Sequence, residues 1–472
     1  MFGSTEMMEL LRQSTEYFDF QYGIVPTVLL PLAFLSTGLS ILATYIAGFF
    51  GIKLKAEGPR KLLEILLKPK LLISAVLLNF VFYGAFIFYG YAKNGPVPII
   101  VQRSLSKVMA TPVSEVSFDS QIKVIKVKDG IFAKGVIVEN KLYVGTVGGN
   151  LLKISLESGK IEDRFYIGKF VSPTPVFDNG YLYFGEGLHL SHGMGIYKFN
   201  LEKFDIESKS STSGHTEIFP VISGDTIYQT SGGDGLYAFN TKDLTQKWQF
   251  PGGHMDGFPG IRSGELYVAT GVPVEDNDQV RPFAYRLNTE TGEVIWKKEL
   301  PLSSWYGPTI SENFICFTLG EIHVDSNLGG INCFSPNGDR VSTIFVDAPV
   351  LSKPIIVADN IIFNDYSGSI HSWSIDGQKE NWSIASTSNV RGYSSLSMKN
   401  GILYFVNASG VLKKIDPLSG RYSQVDLKEK LSLGEKIYAD ILYHGDELII
   451  FGMNGTILKL RQSEVFMGMG NF

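Results

Sequence analysis

Residues 225–248 read DTIYQTSGGDGLYAFNTKDLTQKW. A β-branched and aromatic run around Tyr228 gives way to a turn rich in Gly and Asp. A second apolar run ends at Asn240, a polar turn follows, and the segment closes on Trp248. Short runs of this kind, bounded by Gly, Asn and Asp, are strands joined by tight turns. The wording recurs on either side, centred on Tyr143, Tyr183, Tyr228, Tyr267, Cys316, Phe363, Tyr404 and Ile449. Successive centres lie about 39 to 49 residues apart. A period near 40–50 residues with several strands per copy marks a β-propeller. Eight centres predict eight blades, with seven the alternative count. The last copy, GTILKLRQ, stops after its third strand at about Arg461. The stretch SQIKVIKV around Gln121 precedes the first copy and has no blade of its own. It is expected to supply the missing outer strand and close the ring.

The whole chain has 472 residues, 44% hydrophobic and only 19% charged. About 25% charged is usual for soluble proteins. The apolar excess sits in the first hundred residues. A net charge of −5 speaks against binding polyanions such as nucleic acid. Cys316 and Cys333 are the two cysteines, too few for a disulfide-dense scaffold, a four-cysteine zinc site or a four-cysteine iron–sulfur cluster.

Residues 24–51 and 71–92 are two nearly unbroken apolar runs. Each exceeds the roughly 20 residues a helix needs to span a bilayer. A signal peptide does not fit, because Glu6, Glu9, Glu16 and Asp19 precede the first run against one Arg12. The 52–70 link holds Lys53, Lys55, Arg60, Lys61, Lys68 and Lys70 against Glu57 and Glu64. The positive-inside rule puts this loop in the cytoplasm and both chain ends on the other side. The expected order is an extracytoplasmic segment 1–23, two transmembrane helices, a linker 93–116, a propeller 117–462 and a tail 463–472. The expected location is the inner (cytoplasmic) membrane, with the propeller on the periplasmic side.

The copies LYVGTVGGNLLKISLESGKI and LYVATG…AYRLNTETGEVIWKKEL resemble the pyrroloquinoline-quinone-type propeller repeat, with its lYv strand, dG turn, tGe turn and closing Trp. The resemblance runs from about Ser117 to Arg461. It implies the fold and, more weakly, a protein-binding role. The family contains quinone-dependent dehydrogenases and cofactor-free scaffolds such as the outer-membrane assembly propeller lipoprotein. This chain departs from both. The dehydrogenases carry an adjacent cysteine pair at the quinone, whereas Cys316 and Cys333 stand 17 residues apart. The lipoprotein's lipidated cysteine is missing.

Five of the seven histidines fall in one class of position. His215 and His254 precede the inner strands of blades three and four. His189, His192 and His323 follow the second strands of blades two and five. Loops of these two kinds emerge on one propeller face, so the five should crowd one mouth of the channel. Glu186, Glu217, Asp256, Glu321 and Asp325 should come with them, and Arg391, Trp305 and Tyr306 share the face. Imidazoles with carboxylates in a concave mouth are the raw material of a metal, ligand or acid–base site. The opposing reading makes GHTEIFP and GGHMDGFP twin structural turns. No HExxH, GxSxG or Walker pattern singles out a chemistry. Cys316 and Cys333 should oppose one another across a hairpin, as a disulfide or as two buried thiols.

The reading that follows is a membrane-anchored extracytoplasmic scaffold. It binds a protein or ligand, its partner being another membrane or periplasmic protein, with two helices in the lipid bilayer and no nucleic acid. The alternative is an enzyme using a divalent metal or the quinone at the histidine-rich mouth. A third reading makes the propeller a sensor for the helices.

Overall fold

Seven repeats fold as four-stranded antiparallel sheets whose strands follow chain order, and the eighth gives three strands to a five-stranded antiparallel sheet. These eight sheets form eight blades: 136–166, 176–211, 221–250, 260–299, 309–346, 355–384, 397–426 and 442–461. The computed structural model describes residues 115–119, 122–168, 173–187, 193–272, 281–321, 327–375, 379–387, 390–428 and 436–466. The segments 1–23, 24–51, 52–70 and 71–92 lie outside them. Among the described residues no helix is long and apolar enough to cross a membrane.

The strands differ in burial for a physical reason. Second strands such as Thr226–Thr230 and Ile315–Gly320 are buried at every position. They are covered on both faces by neighbouring blades, so apolar residues stand at consecutive positions instead of alternating, and the polar ones among them, such as Gln229 and Thr230, are buried too. Outer strands such as Val294–Glu299 are mostly exposed. The core divides accordingly into eight clusters, each straddling two adjacent blades. Tyr228, Leu236 and Ala238 of blade three, for example, pack with Leu266, Val268 and Leu287 of blade four. A blade therefore completes its core only through its neighbours.

The ring closes as the sequence predicts. Ile122–Lys126 pairs antiparallel with Thr456–Arg461, in a register running from Ile122 opposite Leu460 to Lys126 opposite Thr456. A further strand, Glu115–Asp119, pairs on the outside of it and makes the eighth sheet five-stranded. The repeat pattern does not announce this strand. After the last strand a short helix, Gln462–Val465, brings Phe466 into the core against Tyr404.

The closing tryptophans tie successive blades together. The indole N–H of Trp248 donates to the Thr289 carbonyl of the next blade at 3.0 Å. Trp296 reaches Pro336 at 3.1 Å, and Trp382 reaches Pro417 at 3.2 Å. In all three contacts the glycine of the receiving turn faces the same ring, Gly338 most loosely, with a Cβ 3.2 Å from the Trp296 ring. A Cβ on Gly292 would lie 2.7 Å from the Trp248 ring, and one on Gly420 would lie 2.6 Å from Trp382. Both glycines have positive φ, +72° and +70°. The repeat's Gly and Trp are thus two halves of one contact between blades.

Lys413 on the third strand of blade seven is 1% exposed. Its ammonium has no hydrogen-bond partner among the described residues and lies 5.6 Å from the Tyr422 ring centre. Burial lowers its pKa. A lysine whose folded pKa falls below its unfolded value binds more protons when unfolded, so stability rises with pH through the window between the two values and is lost as pH falls. Lys413→Met is expected to stabilise the fold at neutral pH by about 1–3 kcal/mol and to remove that pH slope. Thermal melts from pH 7 to 10 test this; a destabilised variant with an unchanged slope would refute it.

Candidate functional site

The loop leading into each inner strand rests on the turn between the second and third strands of the preceding blade. Thr216 illustrates it: its N–H reaches the Glu186 carbonyl, and its hydroxyl contacts the carbonyls of Glu186 and Gly195 in blade two. One blade on, Met255 N–H donates to Gly232 O at 2.9 Å. The next step repeats this, with Ser304 N–H on Thr270 O. Side chains at equivalent loop positions of consecutive blades therefore become neighbours around the channel.

This arrangement brings His215 and His254 together. Their ring centroids lie 5.4 Å apart. The two Nε2 atoms lie 2.8 and 3.0 Å from the two oxygens of Asp256. With the Nε2–H tautomer on both rings, each imidazole donates to one oxygen. Glu217 Oε2 lies 3.9 Å from His215 Nε2. The side chains of His215 and Asp256 are almost wholly buried, and that of His254 is 14% exposed. Trp305 from the next loop meets His254 edge to face at 5.7 Å. Backbone contacts fix the parts. Asp234 accepts the N–H groups of Ser213 and Gly214, holding the turn just before His215. Gly232 has φ +47°, and a Cβ there would come 2.6 Å from the His215 ring.

Further round the ring the same loops supply aromatic and charged groups. Tyr306 of blade five reaches Ser395 of blade seven at 3.4 Å, and Phe132 packs on Tyr393 and Tyr438. Lys134 pairs with Asp440 at 3.5 Å. Burial raises the Tyr306 and Tyr393 pKa values, assisted by Asp440 for the first and by Tyr366 and Glu217 for the second. Burial and the charge of Lys134 lower the Lys353 pKa. Arg391 lies over the Tyr366 ring at 5.8 Å.

The described part of the predicted cluster is therefore His215, Glu217, His254 and Asp256. His189, His192, His323 and Asp325 lie outside the described residues. Two carboxylates turn elsewhere. Glu186 is buried and pairs with Lys209 at 3.0 Å while accepting the Tyr197 hydroxyl at 2.5 Å, because a buried carboxylate takes the nearest cation of its own blade. Glu321 accepts the amide and hydroxyl of Ser303, fixing the loop that carries Trp305. The signal for the cluster is present in the repeat. His215-Thr-Glu217 and His254-Met-Asp256 are the same H-x-acid pattern, 39 residues apart, as are Tyr228 and Tyr267.

The cysteines oppose each other directly on the second and third strands of blade five, Cα atoms 4.0 Å apart, and are disulfide-bonded. Both are fully buried in the cluster between blades five and six, among Ile331, Ile361 and Phe363. They are not at the mouth. The adjacent cysteine pair that holds the quinone in the family's dehydrogenases has no counterpart in this chain, whose two cysteines belong to the core between two blades.

A family model described as outer membrane protein assembly factor BamB matches residues 193–313, the span that carries both H-x-acid loops. The eight-bladed ring, the Trp–Gly contacts and this match agree. The chain is an eight-bladed β-propeller, and about a quarter of it resembles the assembly-factor family. Among solved structures the chain is similar to BamB from Moraxella catarrhalis, at 12% identity and TM-score 0.55, over 74% of this chain and 100% of that one. It is also similar to the computationally designed Ika8 protein, at 11% identity and TM-score 0.57, over 71% and 97%. Saccharomyces cerevisiae Sqt1 aligns at 12% identity and TM-score 0.55, over 73% and 97%. At such identities these likenesses show the fold alone. Tetrathionate hydrolase of Acidithiobacillus ferrooxidans is 25% identical over 120 residues, which are 25% of this chain and 22% of that protein.

Proposed function

We propose that this PQQ-type propeller is a membrane-anchored extracytoplasmic scaffold that docks another membrane or periplasmic protein. The observation that carries the reading is the sealed Cys316–Cys333 disulfide in a chain whose two long apolar runs flank a basic loop. A disulfide persists in an oxidising compartment, and the positive-inside rule sends the propeller there. A rigid ring of short loops is suited to presenting a docking face, and the matching assembly-factor family supports that use.

The experiment has two parts. Thiol trapping in intact cells should find Cys316 and Cys333 oxidised, while a cysteine introduced at Gly58 is labelled only by membrane-permeant reagents. Photo-crosslinkers placed around the mouth, at Arg391 and Lys353, should yield one defined adduct, and crosslinkers on the outer strands should not. Reduced cysteines or a surface-labelled Gly58 position would overturn the location. Adducts spread evenly over the outer strands would overturn the docking face.

A hydrolytic reading is favoured by one observation, the local match to tetrathionate hydrolase across a chain with a histidine–carboxylate mouth. Turnover of tetrathionate by the purified chain, abolished in Asp256→Asn, would replace the scaffold reading.

A further inference from the structure

We propose that the mouth holds one divalent metal ion of the zinc class, bound by Nε2 of His215, Nε2 of His254 and the carboxylate of Asp256. The site goes beyond the docking role and does not depend on it. One ligand atom from each of His215, His254 and Asp256 lies within 4.8 Å of the other two. Metal–ligand bonds of about 2.0–2.1 Å in a tetrahedron put ligand atoms roughly 3.4 Å apart. The observed 2.8 and 3.0 Å separations, one to each oxygen of Asp256, are shorter than this, so binding the ion draws both imidazoles off the carboxylate and onto a shared centre.

The donor set is selective. Two neutral imidazoles and a carboxylate suit zinc and its first-row neighbours, whereas calcium and magnesium prefer oxygen ligands throughout. Charge also balances: Asp256 and Glu217 together carry −2 against a divalent cation. The site is built into the fold. The side chains of His215 and Asp256 are 5% and 6% exposed. Backbone hydrogen bonds hold both loops, and the His215 ring fills the space above Gly232. Such preorganisation cuts the ordering cost of binding. The metal would bridge the leading loops of blades three and four, beside Trp305 and at one edge of the channel.

The test uses the full chain in detergent, stripped with chelator and titrated with zinc alone by calorimetry. One equivalent should bind. His254→Ala should weaken binding by roughly a hundredfold or more, and Glu217→Gln by about tenfold, at the lower end of what a neighbour outside the ligand set costs. If His254→Ala fails to fold, Asp256→Asn, which keeps the volume, replaces it with the same expected loss. Cobalt titration gives a second readout. It should quench tryptophan fluorescence stoichiometrically, with most of the quenching lost in Trp305→Phe. Failure of the stripped chain to bind an equivalent of zinc at 100-fold excess would overturn the site, as would undiminished binding in both ligand variants. The pair of imidazoles would then be a hydrogen-bonded structural triad with Asp256.

Discussion

Ile125→Asp should open the ring. Ile125 has no solvent exposure and sits on the strand that joins the chain's beginning to its last blade. It packs in the cluster shared by blades eight and one, with Ile449, Phe451, Leu142 and Val144. A carboxylate there is buried without a designed partner, which costs about 3–5 kcal/mol. The loss falls on the joint that lets the other seven interfaces close on themselves. A fall in melting temperature of about 4–7 °C is expected for a domain of this size, along with easier proteolysis near Lys128. Lys126→Asp is the control, one residue along the same strand but exposed. It should change the melting temperature by little. Equal effects at the two positions would show that the strand does not close the ring in this register.

Trp248→Ala and Gly292→Ala should each be costly, and the pair should cost less than their sum. Trp248→Ala removes a large partly buried ring and its hydrogen bond to Thr289, a loss of about 3 kcal/mol. Gly292→Ala puts a methyl into the Trp248 ring and into a left-handed backbone position at φ +72°. It is expected to cost about 2–4 kcal/mol. In the double variant the ring is gone, so Gly292→Ala retains only its backbone cost of about 1 kcal/mol. A coupling of about 1–3 kcal/mol follows. Urea unfolding of the four proteins measures it. Strict additivity would mean that the glycine is kept for its turn alone and not for the tryptophan of the preceding blade.

Much of this architecture is legible in the chain. The period places every second strand at its centre, from Tyr143 to Ile449, because a covered strand must be apolar at successive positions. The incomplete last copy and the orphan run before the first copy announce the closing strand. The disulfide pairing is legible as a cross-hairpin match but not as a bond, since spacing alone serves a pair of thiols equally well. The strand Glu115–Asp119 carries no repeat wording. It is held by backbone pairing to Ile122–Lys126, a contact that requires no particular side chains.

The mouth divides in the same way. Residue types and loop class are written in the sequence: His215, Glu217, His254 and Asp256 all precede inner strands and so must share one face. Partner choice is not. Glu186 shares that face by sequence position, yet its carboxylate ends on Lys209 and Tyr197, because a buried charge selects the nearest cation available in three dimensions. Asp256, two residues from His254, receives His215 as well, from 41 residues away, because consecutive blades place their leading loops side by side. The sequence by itself determined the blade and its period, and it named His215, Glu217, His254 and Asp256 as members of one loop class, since these follow from local periodicity. Only the tertiary structure decided which imidazole meets which carboxylate, since that depends on how one blade's loop lies over the turn of the blade before it.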